Sequence, residues 1–196
     1  MSLTLYGGAR SRATMVAWYL EEKGIPYLWR QLDMAAGEHR QEPFLSLNPF
    51  GKVPVLVDDT GVEEGGVAPG ARLTLFESGA ILLYLADRYG HEFANPEQRA
   101  LAEQWVLFAN ATLSSALFIS SNRETEFPRL LGVLDGLLAA GTPLIGETWG
   151  VADCALESHL AYLPVFFPQI DLSPYPHVAA RIAATQARPA YRQVMG

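Results

Sequence analysis

Nine residues near the start of the chain, Tyr-Gly-Gly-Ala-Arg-Ser-Arg-Ala-Thr at 6–14, carry hydroxyl and guanidinium groups just before a predicted helix. Tyr6 and Ser11 can each donate a hydrogen bond through a hydroxyl. Arg10 and Arg12 add positive potential to a chain whose formal net charge is -7. The two glycines predict a backbone that turns closely past a ligand. The stretch is therefore a candidate site for an anion.

Val53 and Pro54 form a second candidate site, at the entry to a predicted strand. An X-Pro bond can adopt the cis form, which would leave the backbone N–H and C=O of Val53 facing outward. Such a free edge can pair with a peptide as an added strand would. The alternative is an ordinary trans proline at the start of a strand.

Glu77 and Ser78 form a third candidate site, at the start of a predicted helix. The free N–H groups of a helix N-terminus, together with the serine, can hold a carboxylate, and the adjacent glutamate can hold an ammonium. Together they match the two charged ends of an amino-acid head group. The alternative is that Ser78 is a plain helix cap.

Hydrophobic spacing predicts the elements that position these residues. Short apolar runs predict four strands, at 3–6, 26–33, 53–57 and 72–76. Apolar residues recur at helical spacing between the first two strands and again after Ser78, which predicts helices ending near Gly24 and Gly90. A Gly- and Glu-rich segment at 60–71 is predicted to be an exposed and mobile insertion, because it is too long for a hairpin loop.

The chain changes character after Gly90, where helical patterns follow one another. Helices are predicted from Pro96 to about 121, at 128–140, at 151–164 and at 176–187, with a final turn after Pro189. The sequence therefore predicts a small α/β domain at 1–90 followed by an all-helical domain at 91–196.

The composition restricts the function. An acidic chain with 14 Lys+Arg against 21 Asp+Glu is a poor match for nucleic acid or an anionic membrane surface. No apolar run approaches the roughly 18 residues of a membrane span, and no leader segment is evident. Cys154 is the single cysteine and the four histidines lack ligand spacing, so neither a disulfide nor a metal site is expected. We expect a soluble, cytoplasmic protein.

Taken in the order in which they occur along the chain, the candidate segments resemble the glutathione transferase family. The residues that carry the resemblance are GEHRQEPFLSLNPFGKVPVLVD at 37–58, LTLFESGAILLYLADRYG at 73–90, VADCAL at 151–156 and YPHVAARIAATQARPA at 175–190. The resemblance spans nearly the whole chain. It implies an α/β thioredoxin-like N-terminal domain of order β-α-β-α-β-β-α and an all-α C-terminal domain. The short chain and its double arginine look most similar to the chi-like transferases of cyanobacteria.

The resemblance also implies a role for each candidate residue toward glutathione. Val53 would form backbone hydrogen bonds to the cysteinyl part, with Pro54 in the cis form. Glu77 and Ser78 would hold the γ-glutamyl end. His39 and Lys52 would face the glycine carboxylate; considered without the family, both are solvated loop residues.

Two residues compete as the donor that stabilises the glutathione thiolate, the form that attacks electrophiles. Ser11 falls where plant- and bacterial-type branches of the family keep a serine or cysteine, and Tyr6 falls where the tyrosine-type branch keeps its catalytic residue. We favour Ser11, which can cap the helix through its oxygen while its proton stays free for the sulfur. Arg12 matches an arginine held near the sulfur, and Arg10 would add to the potential there.

The resemblance implies an enzyme that conjugates glutathione, as co-substrate, to small hydrophobic electrophiles, with glutathione peroxidase as a side activity. Detoxification and stress response are the matching roles. Phe50 resembles an aromatic residue that some members insert into a partner subunit, so a homodimer is expected. The alternatives are a non-catalytic glutathione-binding or assembly module on the same fold, and glutathione-dependent thiol reduction or dehalogenation.

The helix that begins near 151 departs from the family pattern. Gly150 stands where a serine or threonine usually caps this helix, so only half of a capping box is expected, with Asp153 accepting from the Gly150 N–H. The helix is predicted to form a little less firmly. Cys154 in its first turn is predicted to be a small core residue.

Overall fold

The computed structural model describes residues 2–60 and 72–195. The chain divides into two compact units. The first contains the described residues up to Gly90 together with 193–195, and the second is His91–Arg192. The insertion predicted to be mobile falls on 60–71, and all of it beyond Thr60 lies outside the described residues.

The first unit is built on a four-stranded sheet of order β2-β1-β3-β4. Its strands are β1 (Leu3–Gly7), β2 (Tyr27–Gln31), β3 (Val55–Asp58) and β4 (Leu73–Phe76). β2 runs parallel to β1, whereas β3 is antiparallel to both of its neighbours. Two helices, α1 (Ala13–Glu22) and α2 (Ser78–Arg88), are the first and last helices of the predicted order.

Between β2 and β3 the chain forms two single 3-10 turns instead of the second helix of the predicted order. They lie at Glu38–Arg40 and Phe44–Ser46. Gly37, with φ 76°, precedes the first turn in the left-handed region, and Pro43 precedes the second. The first turn ends at Gln41, which is extended with φ -130° and ψ 160°.

The core of the first unit is formed by α1 and β3. Every residue from Ala13 to Leu20 is buried, as is the whole of β3. β3 begins at Val55 rather than at Val53 as predicted, and Pro54 has no N–H to contribute to the ladder.

A polar network closes the far end of β3. Buried Asp58 accepts hydrogen bonds from the hydroxyls of Tyr84 at 2.6 Å and Tyr89 at 2.5 Å, and from the Thr60 N–H at 2.7 Å. Burial by itself would raise the pKa of Asp58, but these hydrogen bonds together lower it. The network ties α2 to the sheet at the end opposite the candidate site.

The second unit is helical. Its elements are α3 (Pro96–Leu107), a π-helical turn (Phe108–Leu113), α4 (Ser114–Phe118), α5 (Ser120–Leu138), α6 (Val151–Ala161), α7 (Leu163–Phe166) and α8 (Pro176–Ala187), and α9 (Pro189–Met195) continues into the end of the chain. Leucines of α4, α5 and α6 form most of its core.

The helix predicted from Pro96 to about 121 is present as α3, the π-helical turn and α4, and it ends at Phe118 because Ile119 is extended with φ -89° and ψ 119°. The helix predicted at 128–140 is wrong in its start. α5 starts at Ser120 instead of 128, and Pro128 lies inside it. Pro128 is exposed, so water can satisfy the carbonyl it leaves free, while Phe127 and Leu131 beside it are buried. Packing of these neighbours outweighs the local cost of the proline.

The start of α6 contains the predicted half of a capping box and one group that was not predicted. Asp153 accepts from the Gly150 N–H at 3.1 Å, as expected. Glu92 accepts from the Val151 N–H at 2.8 Å. A Cβ on Gly150 would lie 2.6 Å from Glu92 Oε2, so the glycine makes room for this carboxylate. Burial raises the pKa of Asp153 to about 6, against the lowering effect of its backbone hydrogen bonds.

Candidate functional site

The strand register brings the three candidate segments to one end of the sheet. Tyr6 of β1 lies opposite Val55 of β3, and Val55 lies opposite Phe76 of β4. Because β3 runs antiparallel to both neighbours, its start meets the ends of β1 and β4. The segments gathered there are 6–12, 53–54 and 77–78.

Val53 presents its backbone at this end of the sheet, unpaired within residues 2–60 and 72–195. The Val53–Pro54 peptide bond is cis, as predicted. Outside helices and strands, no backbone hydrogen bond among the described residues uses the N–H or C=O of Val53. Pro54 is buried and Val53 is partly exposed. This edge can therefore accept an extended peptide.

Asn48 supports this edge, and the sequence reasoning missed it. Its side chain is buried, with Nδ2 donating to the Lys52 carbonyl at 2.8 Å and Oδ1 accepting from the Phe50 N–H at 3.1 Å. The amide thereby holds the loop that leads into Val53. The signal in the sequence is Asn48 directly before Pro49 and close to Gly51, which marks a segment rich in turn residues but not the contacts of the amide.

Glu77 has a strained backbone at the start of α2. Its φ is 70° and its ψ is 114°, a region that residues other than glycine rarely adopt. Such strain costs on the order of 1–3 kcal/mol and is concentrated at ligand sites. The prediction that Ser78 caps α2 is wrong, because Glu77 occupies the cap position and buried Ser78 is the first helical residue.

The turn between β1 and α1 holds Ser11 differently from the prediction. Its hydroxyl donates to the Gly8 carbonyl at 2.7 Å, and its Oγ accepts from the Ala13 N–H at 3.2 Å. The residue at the cap position is Arg12, whose side chain does not cap the helix. The proton of Ser11 is thus already engaged, whereas we expected it to be free.

Tyr6 lies on the neighbouring strand with its ring among apolar side chains. The ring is 6.1 Å from that of Phe44 and packs on a cluster that contains Val55 and Val57. Within the described part of the chain, no hydrogen bond of its hydroxyl is found. These contacts favour a packing role for the ring.

The two glycines of the turn make room for side chains rather than for an unusual backbone. A Cβ on Gly7 would overlap Ala13 and lie 2.6 Å from Trp29 Cη2, and one on Gly8 would overlap the side chain of Met34. The residue with a left-handed backbone is Arg10, whose φ is 57°. The need for glycine at both positions therefore follows from these side chains, and a close approach of the backbone to a ligand stays a prediction.

His39 and Lys52 lie in adjacent loops. His39 is buried in the first 3-10 turn, and its Nδ1 has no hydrogen-bond partner among the described residues, whereas Lys52 is exposed. Gly51, at φ 59°, passes so close that a Cβ there would lie 2.9 Å from the His39 carbonyl oxygen. The two residues thus approach one another from different parts of the chain.

The described residues were compared with three further features: a metal-binding group, a membrane-spanning helix and a reactive thiol. Among 2–60 and 72–195, no group of three or more His, Cys, Asp or Glu side chains could hold a metal ion. No described helix is long and apolar enough to cross a membrane. Cys154 is buried, as predicted, and burial raises the pKa of its thiol well above the usual value.

The fold and this sheet end define a class of protein with a thioredoxin-like domain followed by a helical unit. Residues 1–87 match the family described as Glutathione S-transferase, N-terminal domain. A Glutathione S-transferase-like protein of Beauveria bassiana is 34% identical, over 91% of this chain and 87% of that protein. The chain belongs to the glutathione S-transferase family and is an enzyme of that class.

Two further relatives inform the function. A glutathione transferase structure from Burkholderia graminis, with two glutathione molecules bound per subunit, superposes with a TM-score of 0.83 at 30% identity, covering 99% of this chain and 87% of that chain. The Disulfide-bond oxidoreductase YfcG of Escherichia coli is 28% identical, over 98% of this chain and 94% of that protein.

The family match and the superposition confirm the fold class predicted from the sequence, a thioredoxin-like N-terminal domain followed by a helical part.

Proposed function

We propose that this enzyme conjugates the glutathione thiolate to small hydrophobic electrophiles. The observation that carries the proposal is the backbone of Val53, which is unpaired among the described residues, at the sheet end where the strained Glu77 precedes α2. Val53 binds the cysteinyl backbone, Glu77 the γ-glutamyl ammonium and Ser78 its carboxylate. His39 and Lys52 hold the glycine carboxylate, and residues 1–90 form the glutathione-binding domain. Charge-assisted hydrogen bonds of this kind contribute about 1.5–3 kcal/mol each.

Ser11 stabilises the thiolate by exchanging acceptors. Its hydroxyl leaves the Gly8 carbonyl, 2.7 Å away in this structure, and donates to the sulfur. Because a hydrogen bond to a charged group contributes about 1.5–3 kcal/mol and a neutral one about 0.5–1.5, the exchange gains about 1 kcal/mol. The N-terminus of α1 adds about 0.3–1 kcal/mol. Together these lower the thiol pKa by about one unit. Arg10 and Arg12 increase the effect, and Tyr6 is the alternative donor.

The test combines retention on immobilised glutathione with a spectrophotometric assay on aryl halides, isothiocyanates and hydroperoxides. We expect retention and turnover of at least one electrophile, with Glu77→Gln weakening retention about tenfold. Glu97→Gln, at an exposed position in α3, is the matched control and should behave as wild type. Retention without turnover of any compound would favour a non-catalytic module instead.

A second candidate is glutathione-dependent reduction of disulfides, favoured by the similarity to YfcG and by the two glutathione molecules in the Burkholderia relative. Buried Cys154 is unsuited to thiol exchange, so both electrons would come from two glutathione molecules. These would convert a disulfide to two thiols and form glutathione disulfide. The peroxidase side activity would use the same two electrons, with a hydroperoxide yielding an alcohol and water.

The proposed activity also implies a cellular location, a physiological role and an assembly state. We place the enzyme in the cytoplasm, in detoxification and the stress response, and near the chi-like members of the family. A homodimer is supported by Phe50, which is 70% exposed and packs edge-on against Phe76 at 5.6 Å. β4, which carries Phe76, is an edge strand of the sheet. This exposed aromatic pair is suited to contact a second copy of the chain.

A further inference from the structure

The side chain of Met34 covers the turn that carries Ser11. A Cβ on Gly8 would overlap Met34 Cγ and would lie 3.0 Å from Met34 Sδ. Gly8 is the residue whose carbonyl accepts the Ser11 hydroxyl at 2.7 Å, and its N–H donates to Ser11 Oγ at 3.4 Å. Met34 thus lies against the residue that holds the hydroxyl proton of Ser11.

Met34 is held in this position by the hydrogen bonds of its own loop. The Leu32 N–H donates to the Gly7 carbonyl at 2.8 Å, which ties the loop to the start of the turn. Asp33 Oδ1 accepts from the N–H groups two and three residues later, at 2.9 Å each. The backbone on both sides of Met34 is therefore fixed, and the side chain fills the space that a Cβ on Gly8 would need.

Small molecules can reach the same side chain. Met34 is partly exposed and lines, together with Ala9, a cavity of about 540 Å³ within the first unit. Of the other methionines that the structure describes, Met15 is 2% exposed in α1 and Met195 is partly exposed near the end of the chain. A thioether that an oxidant can reach is converted to a sulfoxide, which is polar where the thioether was apolar.

We propose that Met34 is an oxidation site through which hydroperoxides reduce the activity of Ser11. The Met34 sulfur forms a bond to the outer peroxide oxygen as the O–O bond breaks. The sulfur loses two electrons, and the proton of that oxygen passes to the leaving oxygen, which departs as an alcohol, or as water from hydrogen peroxide. The new polar oxygen is poorly accommodated against Gly8, so the oxidised side chain turns into the cavity and the turn loses its cover.

Loss of this cover weakens the stabilisation of the glutathione thiolate, so the inference rests on the proposed role of Ser11. With Gly8 no longer held, the Ser11 hydroxyl is directed less well at the sulfur of glutathione. We expect oxidation to raise the apparent pKa of bound glutathione by about half a unit, which lowers the rate at pH 6.5 about threefold. KM for glutathione should change little, because Val53, Glu77 and Ser78 lie on other segments.

Hydrogen peroxide is the probe in the test. The treated enzyme is freed of peroxide and mapped by mass spectrometry, and the thiolate of bound glutathione is titrated by its ultraviolet absorbance. We expect a sulfoxide at Met34 together with the raised pKa. Untreated Met34→Gln should show the same pKa, because its amide resembles the sulfoxide in size and polarity.

Two leucine variants are the controls. Met34→Leu keeps an apolar cover over Gly8, so it should have a pKa near that of untreated wild type and should keep it after peroxide treatment. Met195→Leu removes a partly exposed methionine near the end of the chain and should stay as sensitive to peroxide as wild type. Thermal unfolding identifies any variant that has lost its fold.

A double-mutant cycle with Ser11→Ala separates this inference from the proposed function. In the Ser11→Ala background, Met34→Gln should raise the pKa no further, because the donor is already absent. A wild-type pKa in Ser11→Ala would overturn the role of Ser11 and this inference with it. A raised pKa in Ser11→Ala but not in Met34→Gln or oxidised wild type would overturn the inference about Met34 alone. The absence of a sulfoxide at Met34, or an effect confined to KM, would do the same.

Discussion

At the scale of single residues, the hydroxyl proton of Ser11 has two competing acceptors. In this structure it is donated to the Gly8 carbonyl, and in the proposed reaction it is donated to the glutathione sulfur. The advantage of the thiolate over the carbonyl comes only from its charge, so Ser11 is effective only toward the ionised thiol. This makes the pH dependence of the rate the most direct readout of its role.

We expect Ser11→Ala to lower the conjugation rate at pH 6.5 about tenfold and to raise the apparent pKa of bound glutathione by about one unit. KM for glutathione should change little, because Val53, Glu77 and Ser78 remain. Ser46→Ala is the control, since the Ser46 hydroxyl likewise donates to the carbonyl three residues earlier, that of Pro43, in an exposed turn. A wild-type pH profile in Ser11→Ala, together with a shifted profile in Tyr6→Phe, would assign the donor to the phenol.

The strain at Glu77 gives a second prediction for a single residue. Glu77→Gly removes the Cβ that disfavours φ 70°, so the free energy of unfolding should rise by about 1 kcal/mol while glutathione affinity falls. His91, at φ 48°, lies outside the candidate site. His91→Gly should therefore bring a similar gain with unchanged affinity. Urea unfolding and glutathione titration measure both quantities, and a loss of stability in Glu77→Gly would contradict the prediction.

At the scale of elements, α6 begins at a position that has no side-chain cap of its own. The missing acceptor is supplied by Glu92, which is 59 residues away in sequence. The prediction that this helix is less stable depends only on Gly150 and Asp153. A group as distant in sequence as Glu92 cannot be identified from a local pattern. The absence of a Cβ at Gly150 is what admits the Glu92 carboxylate.

A double-mutant cycle tests this distant cap. Glu92→Ala should lower the free energy of unfolding by about 1–2 kcal/mol in the wild-type background, the usual effect of losing a cap. In a Gly150→Ser background the same change should cost clearly less, because the serine supplies its own acceptor and displaces the carboxylate. Equal costs in the two backgrounds, measured by urea unfolding, would show that Glu92 acts through other contacts.

The sequence predicts strands and helix ends well where a local signal decides them. All four strands, the start of α8 at Pro176 and the end of α2 near Gly90 follow from apolar spacing and from proline or glycine. α5 starts at Ser120 rather than at the predicted 128, because packing of Phe127 and Leu131 decides its course through Pro128. At the site, the cis bond at Val53 was predicted, but Asn48 and the acceptor of Ser11 depend on contacts that spacing does not encode.

At the scale of the whole molecule, the proposed dimer depends on an exposed aromatic pair at one edge of the sheet. Phe50 and Phe76 contact each other while remaining 70% and 38% exposed. Contiguous exposed apolar side chains are a feature of protein–protein contact sites. We therefore expect the assembly state to respond to Phe50 more than to other exposed apolar residues of the first unit.

Phe50→Ser should shift the protein toward the monomer in gel filtration and light scattering at micromolar concentration. Leu28→Ser is the matched control, because Leu28 is 52% exposed on β2 at the opposite edge of the sheet. It should leave the dimer intact. A dimer that persists in Phe50→Ser would remove this residue from the interface, and a monomeric wild type would refute the homodimer.

The crowding over Gly7 and Gly8 limits how this enzyme can be redesigned. Positions 8 and 34 form a pair of complementary size, because Gly8 lies under the Met34 side chain, whereas a Cβ on Gly7 would overlap the Cβ of Ala13 as well as approach Trp29. A library that varies the turn should therefore keep Gly7 fixed. Larger residues become accessible at position 8 when Met34 is made smaller in the same variant, so positions 8 and 34 should be varied jointly.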